Sequence, residues 1–344
     1  VKHDKHHRAA HKPTKGFSLV ELMVGMVLGV IVIGGAISVY LASKRSLTEV
    51  EQVATLSENG RFALQLLGYS ARHIGFYGGP DPYDITPKKP VGAVAGDCTD
   101  IAAAYDTENS FFALRAVPEP FATSETSVKV AGCITDAMPY TDVLVIKNAG
   151  PSPLSGGWSS QQTYVIAGRV SFELRDGADM PPDIGGSNVA YPYRLQIYYI
   201  RDGATPTLSR KILAWDADTE SMSIQTEDLV QGVENMRFRF GYDSNDDGEV
   251  DTLANLTDVW DSDVWDSDVS ADAWKKVASL QVFLLLASDV IDPNYTNEKT
   301  YQLGDIAVNK EYWEEKELSV NKRRILLHSD VKLRNRRLAW RRGG

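Results

Sequence analysis

The stretch Lys15-Gly16-Phe17-Ser18-Leu19-Val20-Glu21, running on through residues 22–43 as LMVGMVLGVIVIGGAISVYLAS, decides how the rest of the chain is read. Residues 22–43 hold no charge and are long enough to cross a bilayer as a helix. Glu21 is the one charge between Phe17 and Ser43, at the start of the apolar run, where a carboxylate in lipid is costly without a partner. Ahead of it, residues 1–16 carry Lys2, Lys5, Arg8, Lys12 and Lys15 against Asp4, a basic leader that the positive-inside rule keeps in the cytoplasm. An uncleaved signal anchor and a secretory signal cut near Ser38 are two plain readings. A secretory core is usually about 7–15 residues, shorter than this run, and neither reading gives Glu21 a purpose.

The helix is expected to continue beyond the apolar run, because no proline occurs between Pro13 and Pro80. Val53, Leu56, Gly60, Ala63, Leu67, Ala71 and Ile74 recur at three- and four-residue steps and form one apolar face. Gly75-Phe-Tyr-Gly-Gly-Pro80 then stops it. The division that follows is a leader at 1–16, a helix at 17–76 whose first part (17–43) is the membrane segment, and a globular region at 77–344. Gly25, Gly29, Gly34 and Gly35 weaken the helix by up to ~1 kcal/mol each relative to alanine.

Lys15-Gly16-Phe17-Ser18-Leu19-Val20-Glu21-Leu22 resembles the cleavage signal of type IV prepilins. The resemblance implies a prepilin peptidase that cuts between Gly16 and Phe17 on the cytoplasmic side and methylates Phe17. Glu21 is then the residue that pairs with a neighbouring subunit's N-terminal amine. The physics agrees, since two dehydrated opposite charges are tolerable only together. Many major pilins have proline where Ser38 stands.

After Pro80 the pattern becomes short strand-like runs separated by Gly, Pro, Asp and Asn, at 143–146, 164–166, 170–174, 195–200 and 212–215. Met236, Phe238, Phe240 and Tyr242 alternate with Arg237, Arg239 and Gly241, as a half-buried strand should. Residues 280–286 suit a central strand and 324–333 a closing one. No linker splits this region, although 80–135 has room to form a separate lobe. Glu58-Asn-Gly-Arg-Phe-Ala-Leu64, Arg72-His-Ile-Gly-Phe-Tyr77, Leu229-Val-Gln-Gly-Val-Glu-Asn-Met236, Trp274-Lys-Lys-Val-Ala-Ser279 and Val331-Lys-Leu-Arg-Asn-Arg336, in that order, are similar to minor pilins of the PilW type.

That resemblance implies an α+β pilin fold, with the long helix packed on an antiparallel β-sheet. It also implies a minor pilin that primes type IV pilus assembly near the tip. Its partners would be other minor pilins, the major pilin and a pilus-tip adhesin. The chain would sit in the inner membrane with a periplasmic body, and on the pilus after assembly. A pseudopilin of type II secretion shares the leader and helix. A membrane-anchored periplasmic enzyme or binding protein is the reading from another class.

The formal charge is −10, but the leader holds five of 36 basic and one of 46 acidic residues, so the remainder carries 31 against 45, net −14. An acidic body argues against nucleic-acid binding. Cys98 and Cys133 in an exported region suit one disulfide, with two separate buried thiols as the alternative.

Asp243-Ser-Asn245-Asp-Asp247-Gly248-Glu249-Val-Asp251 is the most specific internal motif. Side-chain oxygens at steps 1, 3, 5 and 9, the Glu249 carbonyl at step 7 and glycine at step 6 suit calcium (Ca2+), and the spacing resembles the calcium loops of integrin α-subunit propellers. A metal-free hairpin turn is the other reading. The repeat Val259-Trp-Asp-Ser-Asp263, Val264-Trp-Asp-Ser-Asp268 fits a partner-binding edge or locally packed tryptophans. The basic tail from Lys322 to Arg342 fits a solvated last strand or a docking surface. No nucleophile elbow, Walker loop or dinucleotide fingerprint occurs, and only His73 and His328 lie outside the leader, which argues against an enzyme.

Overall fold

The computed structural model describes residues 16–79, 91–118, 128–168, 172–245, 247–256 and 274–335. The leader before Gly16, the 259–268 repeat and the tail beyond Asn335 lie outside the described residues. The chain divides into two units, Val1–Gln52 and Val53–Gly344. Helix α1 (Leu19–Arg72) contributes to both.

In the first unit the apolar side chains of α1 are exposed on every side, from Leu19 at 74% to Leu41 at 47%. By length and composition this helix can cross a membrane. It runs unbroken through Gly25, Gly29, Gly34 and Gly35, and nothing lies within 4 Å of where their Cβ atoms would stand. Ser38 satisfies its hydroxyl by donating to Gly34 O at 2.9 Å, which keeps a polar group compatible with an apolar setting.

In the second unit the last turns of α1 bury Leu56, Gly60, Ala63, Leu67, Gly68, Ser70 and Ala71. Val53, expected on the same stripe, is 43% exposed, because the burial begins about one turn later. The helix tightens at its end, where His73 N and Ile74 N donate to Ser70 O and Ala71 O. Gly75 then reverses the chain at φ +75°, a left-handed value that glycine adopts without a Cβ penalty.

Nine antiparallel strands form the larger sheet. They are β1 (Phe111–Arg115), β2 (Val128–Val130), β3 (Ile134–Ala137), β4 (Asp142–Ala149), β5 (Thr163–Ala167), β6 (Phe172–Asp176), β7 (Val189–Arg201), β8 (Thr207–Asp216) and β9 (Ser221–Gln231). Strand β7 is the hub, pairing β4, β5, β8 and the end of β3. The second sheet runs β11 (Thr252–Asn255), β10 (Val233–Tyr242), β12 (Val277–Ala287), β15 (Arg324–Lys332). A hairpin, β13 (Tyr301–Leu303) with β14 (Ile306–Val308), leads into helix α2 (Lys310–Glu315), whose N-cap Asn309 accepts from Tyr312 N at 3.1 Å. The fold is therefore pilin-like α+β, a long helix, apolar in its first part, whose last turns pack on antiparallel sheets.

Three expectations need correction. The body holds two principal sheets rather than one, because β10 follows β9 through a tight turn at Gly232 (φ +81°) and opens a second layer. The described part of 80–135 forms no separate lobe. Phe111, Phe112 and Ala113 on β1 are buried in register with Ile146, Val145 and Leu144 of β4, so its apolar residues belong to the common core. Strand β10 is not half-buried: Arg237 on its polar face is 3% exposed, enclosed by β4 and the β13–β14 turn.

Candidate functional site

At the start of α1, Ser18 and Glu21 form a reciprocal capping box. Ser18 N donates to Glu21 Oε2 at 3.1 Å, and Glu21 N donates to Ser18 Oγ at 3.2 Å. Two orphan amides of the helix end are thereby satisfied, and the Glu21 carboxylate lies near the positive end of the helix dipole. The Gly16–Phe17 peptide precedes the first helical residue, Leu19, so it lies in non-helical backbone.

Between β10 and β11 the motif 243–251 closes on itself. Asp243 Oδ2 accepts from Gly248 N at 2.7 Å, Asn245 Oδ1 from Asp247 N at 3.0 Å, and Asp247 Oδ1 from Glu249 N at 2.8 Å. Gly248 sits at φ +85°, which lets the chain fold back over Asp243. Asp251 Oδ2 accepts from Ser244 N at 2.8 Å and Ser244 Oγ at 2.6 Å, and these bonds hold its carboxyl below the usual carboxylate range. Asp243 is 8% exposed, and its Oδ1 is buried without a hydrogen-bond partner among the described residues. Asp246 lies outside the described residues.

Cys98 and Cys133 are disulfide-bonded with Cα atoms 4.6 Å apart. The bond ties the segment before β1 to the β2–β3 turn. Nearby, Lys147 of β4 is fully buried and donates to Ile101 O at 2.7 Å and Asp106 O at 2.8 Å. Burial pushes its pKa down to about 8, against the opposing pull of Asp106 and Asp97.

Sequence reasoning missed two buried charge clasps. Asp142 of β4 accepts from Phe238 N of β10 at 3.0 Å and pairs with Arg115 at 2.9 Å and Arg237 at 3.4 Å, while Asp305 meets Arg115 at 3.0 Å. Burial pushes the Asp142 carboxyl up and the Arg237 guanidinium down, and their mutual attraction opposes both shifts. In the second clasp Arg324 grips Glu234 bidentately at 2.6 and 2.8 Å and stacks on Trp313. Arg237 was visible on β10, but its partner is far away in sequence, so no spacing rule could join them. The first clasp fastens β1, β4 and β10, and the second fastens β10 to β15.

Residues 11–37 match the family model described as the prokaryotic N-terminal methylation motif. Residues 197–335, from the middle of β7 past the end of β15, match the model described as type IV pilus-assembly protein W. No curated protein and no solved structure matches the chain. From Leu19 on, the methylation motif falls on the exposed apolar start of α1, and the second match covers the whole second sheet together with β8 and β9. With both signatures in this order, the chain is similar to prepilin-like type IV pilus-assembly proteins of the PilW type, with an apolar α1 long enough to anchor it in a membrane.

Proposed function

We propose that the chain is a minor pilin that primes type IV pilus assembly and stays near the filament tip. The observation that carries this reading is the first half of α1, apolar and exposed around its whole circumference, with one carboxylate at its start. Such a helix needs lipid before assembly and other helices afterwards, since either removes its apolar surface from water. Among the described residues, the Glu21 carboxylate accepts from Ser18 N. A neighbouring subunit's N-terminal amine would bring a full positive charge to a carboxylate that now accepts from a backbone amide. The amine becomes available when the peptidase cuts between Gly16 and Phe17, leaving methylated Phe17 first. The body then faces the periplasm, and later the cell surface, where it meets other minor pilins, the major pilin and a tip adhesin.

Mass spectrometry of protein from native cells tests the processing step: the mature chain should begin at N-methylated Phe17, and an intact leader or a start near Val39 would refute it. Glu21→Ala should leave the protein in the membrane, because the apolar length is unchanged. Its recovery in sheared pili should fall sharply, and wild-type recovery would rule out the pairing role. Gold-labelled antibody against the body should mark one filament end. Label spread along the shaft would overturn the tip position.

A further inference from the structure

We propose that Asp243, Asn245, Asp247 and Asp251, with the Glu249 carbonyl, bind a calcium ion, with Asp243 as the anchoring ligand. An acidic turn alone would carry no such inference. What separates this one from a solvated hairpin is Asp243, which is 8% exposed and keeps a buried oxygen, Oδ1, with no hydrogen-bond partner among the described residues. A buried carboxylate oxygen left unpaired is costly, and a cation is the ligand that removes the cost. The other oxygen of the same carboxylate is fixed inside the loop on Gly248 N at 2.7 Å, so the group cannot turn outward without breaking that bond.

The remaining ligands stand at alternate positions on the same turn. Asn245 and Asp247 each use one side-chain oxygen to hold a backbone amide, of Asp247 and Glu249 respectively, and the other Asp247 oxygen accepts from Asn245 Nδ2 at 3.1 Å. These bonds shape the turn and leave lone pairs on both side chains, since carboxylate and carboxamide oxygens each offer two. The Glu249 carbonyl completes the near side, while its side chain plays no part. Asp251 closes the far side.

Among the described residues, no three His, Cys, Asp or Glu side chains already form a cage. Ion binding therefore includes one rearrangement: Asp251 releases the amide and hydroxyl of Ser244, which are exposed and pass to water. All ligands are oxygens on an adaptable loop, which suits calcium over magnesium, whose smaller ion demands near-ideal octahedral geometry. The ion would also offset the mutual repulsion of the acids in this turn.

The test uses the full-length protein in detergent. Calcium chloride is titrated by calorimetry, with magnesium chloride in parallel, and thermal melting is followed in calcium and in chelator. The expected Kd lies at about 10⁻⁴–10⁻³ M, the range of extracellular calcium modules, with melting raised by calcium. Asp243→Asn and Asp247→Asn should each weaken binding about tenfold or more, by removing a charged ligand, and Glu249→Gln should bind as the native chain does. Asp247 is exposed, so its variant keeps the test informative if Asp243→Asn folds poorly. Absence of binding heat together with melting indifferent to chelator overturns the proposal. So do equal affinity for magnesium and native affinity in Asp247→Asn.

Discussion

Gly60 of α1 lies against Leu327 of β15 so closely that a Cβ on the glycine would stand 2.4 Å from Leu327 Cδ1 and 2.8 Å from Leu286 Cδ1. The absence of a side chain at one helical position thus sets how near the helix comes to the second sheet. A glycine in a helix interior costs about 1 kcal/mol relative to alanine, and here that cost buys close packing over the β12–β15 pair.

Gly60→Val should therefore lower stability by about 1–3 kcal/mol, the usual range for overpacking. Gly60→Ala should change it by less than about 1 kcal/mol, because better helix propensity offsets the displacement of two leucine methyls. Leu327→Ala should partly rescue Gly60→Val. Urea unfolding of the detergent-solubilised chain reads all three, and strict additivity of the two changes would show that the residues do not meet.

The Glu234–Arg324 clasp predicts a strongly non-additive pair. Arg324→Met leaves a carboxylate buried at 5% side-chain exposure with no cation and should cost about 3–5 kcal/mol. Adding Glu234→Met should recover a large part of that loss, since two apolar side chains need no partner. A double variant as unstable as the sum of the singles would contradict this account.

Lys147 predicts a pH dependence. Its folded pKa is lowered to about 8 from 10.5, so between these values the unfolded chain binds more protons than the folded one. Stability should therefore rise as pH rises through that window, with a slope approaching about 1.4 kcal/mol per unit from this one group. Below it the charged form carries the full burial penalty. The contribution appears as the difference between melting profiles of the native chain and Lys147→Met, and parallel profiles would refute it.

The Cys98–Cys133 bond closes a loop with a sequence separation of 35. Chain-entropy reasoning gives about 4 kcal/mol for a loop of this size, less where the reduced chain retains structure. Cys98→Ser with Cys133→Ser should lower stability by about 2–4 kcal/mol, and nonreducing peptide mapping of exported protein should recover the two cysteines linked. Two cysteines that alkylate without reductant would exclude the bond.

The sequence by itself determined what depends on local order along the chain. Residues 22–43 specify an apolar helix because their composition alone decides their solvent. The stripe from Leu56 to Ile74 specifies a buried face because helical spacing places it on one side. Ser18 and Glu21 are three residues apart, the spacing of a capping box, so their reciprocal bonds are local. The strand runs at 143–146, 195–200 and 280–286 were legible for the same reason, since each is apolar in its own right.

Only the tertiary structure decided the rest. The exposure of Val53 depends on where the sheets end, not on its place in the stripe. Arg237 looked like the solvent face of a strand until β4 and Asp305 enclosed it, and its partner Asp142 is 95 residues away. Glu234 and Arg324 are 90 apart, and Lys147 finds its carbonyl partners 46 and 41 residues upstream. Pairings at such distances depend on topology, because two charges meet only after the backbone has folded both sheets around a shared core. Asp243 joins the two levels: its motif is local, but its amide is held by the carbonyl of Lys276, far along the chain, at 3.0 Å.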